Sequence, residues 1–206
     1  MANIIDYTYF INEVSIPIKS QAALNGAITD SIDLYEEEIL KLLLGYKLWK
    51  EMKAAYDASV ATIPVALPTK WANFINGAEF EFEFNGETIT DKWIGLKNTS
   101  KRSLIANYVY FFHRRNNVSQ NSGVGETVST TENSKVINPM AKLHDAWNKM
   151  IDLYGETDYC GTDNTTYIHW NDKPSAYNFL LANIADYPDW KFTQLDKILS
   201  PLRRLV

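Results

Sequence analysis

The sequence predicts a mainly α fold: a helical bundle of about four to five helices with a small β-hairpin, a long loop and an extended C-terminal tail. Three observations carry this. Apolar residues recur at helical spacing in separate stretches between about Ala27 and Tyr154. Glu79-Phe80-Glu81-Phe82-Glu83-Phe84 alternates strictly and runs into Asn85-Gly86, the strongest short hairpin signal. Between two of the amphipathic stretches, Ser119 to Asn138 is polar and contains no aromatic residue.

Composition bounds the function. The chain has 206 residues, 46% of them hydrophobic and 13% aromatic, enough for a substantial core. Residues 1–155 read as the helical domain and residues 156–206 as a C-terminal extension. The formal charge of −5 argues against a general nucleic-acid binder, which is usually basic. The arginine pairs Arg114–Arg115 and Arg203–Arg204 are too little for an electrostatic footprint. A lone cysteine, Cys160, excludes an intrachain disulfide and gives no metal-cluster spacing. The N-terminus lacks a basic region followed by an apolar run. No apolar stretch approaches the ~20 residues of a membrane span. The expectation is a soluble chain, made in the cytoplasm, with no membrane partner.

Taken in order, residues 1–19 alternate loosely and suggest an extended segment with one strand. Ala27 to Leu44 forms a helix whose apolar face is Ile28, Ile32, Tyr35, Ile39 and Leu42 or Leu43, with Glu36, Glu37 and Lys41 on the other side. Gly45 suits a left-handed helix end. A second helix from Tyr46 to Ser59 presents Leu48, Trp49, Met52 and Tyr56 or Ala55, and Pro64 and Pro68 end the region. The hairpin of about residues 79–93 turns Phe80, Phe82 and Phe84 to the domain. Its glutamates form either a solvated face or a charged subunit contact.

A third helix begins at Ser100 or Ser103. Leu104, Ile105, Tyr108, Val109, Phe111 and Phe112 make it apolar around much of its circumference, so it should be central. His113, Arg114 and Arg115 end it. The loop of residues 119–138 follows. Connections this long are uncommon in compact domains unless they act, so it reads as an arm reaching a neighbouring subunit. Asn138-Pro139 opens a fourth helix with Leu143, Trp147, Met150, Ile151 and Tyr154 at core spacing, closed by Gly155. After Pro174 a short helix offers Tyr177, Leu180, Leu181 and Ile184. The tail from Trp190 to Val206 is apolar and basic in alternation. It either packs on its own domain or docks on another chain.

No catalytic constellation emerges. His113, His144 and His169 show no metal spacing, and no nucleophile elbow, papain-like cysteine context or zincin motif occurs. Gly123-Val124-Gly125 lacks the third glycine of a dinucleotide fingerprint. Asp158, Asp163 and Asp172 do not match a calcium loop. Glu36-Glu37-Glu38 reads as a solvated helix face. The expectation is no enzyme, no cofactor and no metal.

Four segments carry a family resemblance: YEEEILKLLLGYKLWKEM (35–52), WANFINGAEFEF through KWIGL (71–96), SLIANYVYFFHRRNNVSQNSGVGETVSTTENS (103–134) and AWNKMIDLYG (146–155). Together they resemble small neck proteins of phages and prophages, of the head–tail connector or head-completion type, in a Bacteroidetes-phage-like group. The resemblance covers roughly residues 27–155. It implies a helical adaptor in the virion neck, assembled in the host cytoplasm as a dodecameric ring under the portal protein. Such a ring docks another neck or tail protein, and DNA passes through it without sequence-specific binding. By region, it implies an arm at Ser119–Ser134 and a docking tail at Trp190–Val206. The subunit and partner contacts expected there are Gly123, Val124, Gly125, Glu126, Val128, Trp190, Phe192, Leu199, Leu202, Arg203, Arg204 and Leu205. A tail-completion or stopper subunit shares most of these features. An enzyme with an atypical site at His113, His144 and Asp145 is the third alternative.

Overall fold

A computed structural model of the chain describes residues 2–16, 21–84, 87–117, 120–122, 125–127, 140–155 and 174–198. Five helices, α1 (Gln21–Ser59), α2 (Thr69–Asn76), α3 (Leu104–Asn117), α4 (Met140–Tyr154) and α5 (Ala176–Ala182), make up most of it. Strands β1 (Ala78–Phe84) and β2 (Glu87–Trp93) form one antiparallel hairpin, and β3 (Gln120–Ser122) and β4 (Gly125–Thr127) a second. The mainly α fold with a small hairpin is the one expected.

Helix α1 runs for 39 residues and is interrupted at Gly45, whose φ of 75° and ψ of 160° lie outside any helical region. That conformation is essentially restricted to glycine. A Cβ there would also come within 3.1 Å of the Lys191 side chain. A break of this kind leaves carbonyls of the preceding turn without intrahelical donors. Two of them are taken by the segment 189–198: the Trp190 indole N–H donates to the Leu43 carbonyl at 2.7 Å, and the Thr193 N–H to the Leu42 carbonyl at 3.0 Å.

The buried residues of α1 include Ile28, Ile32, Ile39, Leu43, Leu48, Met52 and, among them, Glu36. Assigning Glu36 to a solvated face is corrected: it lies four residues after Ile32 and three before Ile39, inside the apolar stripe, and is 3% exposed. Its carboxylate accepts from the Ile4 N–H at 2.9 Å and the Ile5 N–H at 3.2 Å. The expected N-terminal strand is also corrected. Residues 2–16 form two short 3-10 turns, Tyr7–Tyr9 and Asn12–Val14, that bury Ile4, Ile5, Tyr9, Val14 and Ile16. The start of this segment is clamped by α1 on both sides of the break. Besides Glu36, the Ala2 N–H donates to Asp57 at 3.1 Å, and the Tyr56 hydroxyl donates to the Asn3 carbonyl at 3.2 Å.

Helix α3 packs on both α1 and α4, and every residue from Leu104 to Phe111 is buried. Ser103 caps it by accepting from the Ile105 N–H at 3.2 Å. Helix α4 buries Leu143, Ala146, Met150, Ile151, Leu153 and Tyr154 and ends at Gly155. There φ is 117° and an added Cβ would overlap Tyr177 at 2.2 Å.

Helix α2 was not foreseen. It follows Pro68 and buries Trp71, Phe74 and Ile75, an i, i+3, i+4 set too short to stand out beside the hairpin signal. On α5 the core set is Ala176, Phe179 and Leu180, not Leu181 and Ile184, and Ile184 is exposed. Phe179 joins Phe74, Trp93 and Tyr187 in an aromatic cluster under the base of the first hairpin. The Trp93 indole is buried there and donates to the Phe74 carbonyl at 2.8 Å.

Gly45→Ala should cost ~1–3 kcal/mol in urea denaturation and speed amide exchange at Thr193. Burial pushes the Glu36 carboxyl up to about 7 from 4.5, against the opposing N–H donors of Ile4 and Ile5 and the Lys53 ammonium, and with Asp33 adding to the rise. Between these values the folded chain holds a proton that the unfolded chain has lost, so stability falls as pH rises. The contribution is fully present below pH 4.5 and gone above about 7. The shift corresponds to about 3 kcal/mol. Glu36→Gln, which cannot ionise, should remove this slope; denaturation midpoints of the two proteins across the window measure the difference.

Candidate functional site

The contact residues expected from sequence scatter over three regions. Gly125 and Glu126 lie in β4, which pairs antiparallel with β3 in the register Gln120↔Thr127, Asn121↔Glu126 and Ser122↔Gly125. The start of the loop therefore carries a short hairpin, which corrects the expectation of a connection without secondary structure. Gly123, Val124, Val128, Leu199, Leu202, Arg203, Arg204 and Leu205 lie outside the described residues. So do Cys160 and His169.

Trp190 and Phe192 sit in an irregular strap, residues 188–198, laid over the α1 break and α4. Trp190, Phe192 and Tyr177 pack on one another, with centroid separations of 4.7–5.9 Å, and Tyr154 meets Phe192 at 4.8 Å. The Tyr154 hydroxyl donates to the Thr193 carbonyl at 2.6 Å, and the Trp147 indole to the Asp196 carbonyl at 2.8 Å. Asn148 exchanges two hydrogen bonds with the Ile198 backbone, and Lys197 reaches Asp152 at 3.0 Å. Through Ile198 the tail is thus attached to its own helices.

Sequence reasoning missed a cleft of about 450 Å³ between the second 3-10 turn, the loop before α3, and α4. Its walls include three cations, Lys101, Arg102 and Lys149, against two carboxylates, Glu13 and Asp152. Asp152 is already met by Lys197, and Glu13 by Lys149. The loop is held by its own side chains. Asn98 accepts from the Arg102 N–H at 3.1 Å and donates to the Arg102 carbonyl at 2.5 Å. The Tyr9 hydroxyl donates to the Asn98 carbonyl at 3.1 Å and accepts from its N–H at 2.9 Å. Lys101, at φ 57°, rests 4.5 Å above the Tyr9 ring and donates to the Thr8 hydroxyl at 2.9 Å. Asn12 on the opposite wall also has a positive φ, 54°. Two non-glycine residues in this sparsely populated region at one cleft mark a locally constrained site. The only sequence signal was the adjacent Lys101-Arg102 pair; Lys149, 47 positions on, is supplied by the packing of α4.

The β1–β2 hairpin is buried at its base and exposed toward its tip. Trp93 is 0% and Phe80 5% exposed, Phe82 and Ile89 are half-buried, and Glu87 and Thr88 are exposed. Cross-strand pairing places Glu81 opposite Thr90 and Glu79 opposite Lys92 on the face away from the domain. Glu79, Glu81, Thr88 and Thr90 are all exposed.

The histidine alternative meets a specific geometry. His113 is buried near the end of α3, its Nδ1 2.8 Å from the Ser31 hydroxyl. Ser31 gives its own proton to the Ala27 carbonyl at 3.0 Å, the usual back-bond of a helical serine. The Ser31 hydroxyl thus lies between the Ala27 carbonyl and the imidazole. Burial, with Arg114 adding to it, lowers the His113 pKa. His144 is half-buried and Asp145 exposed on α4. Among the described residues no cluster of three or more His, Cys, Asp or Glu side chains could hold a metal ion, and no helix is long and apolar enough to cross a membrane.

No protein-family model, curated protein or solved structure matches this chain.

Tyr9→Phe removes both hydrogen bonds to Asn98. It should cost ~1–3 kcal/mol and raise amide exchange at Asn98 and Arg102, read by denaturation and hydrogen-exchange mass spectrometry.

Proposed function

We propose that the chain is a non-enzymatic structural subunit of a phage neck. It forms an oligomeric ring that joins the portal to the tail or to the next neck component and lines the DNA channel. The observation that carries this reading is the resemblance of four segments to head–tail connector proteins. Those segments coincide with the elements that build the body: α1 around Gly45, α2 with the first hairpin, α3 with the start of the loop, and the end of α4. A helical body with two short hairpins suits an adaptor, whose faces are spent on neighbours. The net charge of −5 suits a channel wall, since each Lys or Arg contact to phosphate would add affinity and slow transit.

The arm is the part of this reading most open to test. Replacing residues 119–134 by a short Gly-Ser linker should leave the helical body folded, by circular dichroism, and abolish ring formation and particle assembly. Electron microscopy of intact particles should place the chain between portal and tail. Rings or infectious particles formed without residues 119–134, or a location elsewhere in the virion, would overturn the proposal.

A further inference from the structure

The hairpin and the cleft have complementary chemistry. The outer face of β1–β2 offers carboxylates at Glu79 and Glu81 and hydroxyl donors at Thr88 and Thr90, all exposed, with one cation, Lys92, opposite Glu79 at its base. Neither glutamate forms an ion pair among the described residues. A two-stranded ribbon gains little from its own pairing, and the body covers one face of this one from its base to Phe82 and Ile89. Beyond Phe82, which still packs against the core, Glu87 and Thr88 are exposed.

The cleft offers the opposite set. Arg102 is exposed and makes no ion pair among the described residues, Lys101 flanks it, and Lys149 reaches the same cleft while paired with Glu13. Asn107 lines the floor at 9% exposure. Its amide N–H donates to the Ser103 carbonyl at 3.0 Å, which fixes the amide orientation and aligns Oδ1 as the remaining acceptor. That oxygen takes no donor among the described residues. A buried acceptor in this state is costly to leave unmet. The cleft thus asks for anionic groups at its mouth and a hydroxyl or amide donor at its floor, in a chain that is acidic overall.

We infer that the outer face of the β1–β2 hairpin of one copy docks in the Lys101–Arg102–Lys149 cleft of a second copy. Glu79 and Glu81 meet the cations, and a threonine hydroxyl reaches Asn107 Oδ1. The two surfaces differ, so the contact is head-to-tail, and repetition of such a contact closes into a ring or extends into a filament. Only the choice of a second copy as occupant rests on the ring reading; the complementarity itself does not.

Sedimentation velocity on the full chain at rising concentration tests the contact. The wild type should self-associate, and less so at high salt. The reversals Glu79→Lys with Glu81→Lys, and Arg102→Glu with Lys149→Glu, should each weaken association roughly tenfold or more, because like charges then face each other. The four changes combined should restore it, with thermal melts confirming the fold. Should Lys149→Glu unfold the chain by opposing Glu13, Arg102→Glu alone replaces that arm. A wild type that stays monomeric at all concentrations, reversals that leave association unchanged, or a combined variant that does not recover would each overturn the contact. Particles whose neck rings survive the reversals would overturn the contact and leave the neck reading standing. Reversible association in a chain found outside the neck would do the opposite.

Discussion

The break at Gly45 is the constraint on which the rest of the packing depends. A straight α1 would satisfy its own carbonyls and leave the C-terminal strap only its contacts with α4 and α5. With the helix interrupted, the Leu42 and Leu43 carbonyls become acceptors, and Thr193 and Trp190 supply the donors. The N-terminal segment lies across the same break, held by Glu36 on one side and by Tyr56 and Asp57 on the other. Both ends of the described chain are therefore anchored on one helix, and contacts far apart in sequence bridge its two halves.

Glu36 shows what this arrangement costs. A carboxyl group inside an apolar stripe loses hydration, which is why its proton is held up to about pH 7. Two backbone N–H groups that would themselves be buried unmet are satisfied in return. An apolar residue would pack better but would leave the Ile4 and Ile5 amides without acceptors. The buried acid thus fixes where the N-terminal turns sit, and those turns in turn carry Tyr9, which holds the Asn98 loop and shapes the cleft wall.

The strap and the hairpins divide the surface into different kinds of contact. Residues 188–198 fill their valences within the chain, through paired backbone bonds and an aromatic cluster. Among the described residues the first hairpin and the cleft leave theirs unfilled: exposed glutamates on one, Arg102 and the buried Asn107 amide oxygen on the other. Self-association by such polar surfaces gives orientation and register more than raw affinity. A subunit that must join its neighbours in one order during assembly would use that property.

Much of this was already determined by the sequence. The helical faces, the hairpin with its strict alternation, the helix-ending glycines and the central position of α3 follow from local periodicity and backbone sterics, which need no distant partner. The tertiary structure decided the remainder. Glu36 reads as one of three consecutive surface acids until the N-terminal segment arrives to use it. Trp190 and Phe192 read equally well as partner contacts until the carbonyls opened by Gly45 are seen beneath the strap. Nothing in the sequence joins Lys149 to Lys101 and Arg102 until α4 packs beside the Asn98 loop. In each case the deciding energy lies in a contact between residues far apart in the chain, and no local pattern encodes such a contact.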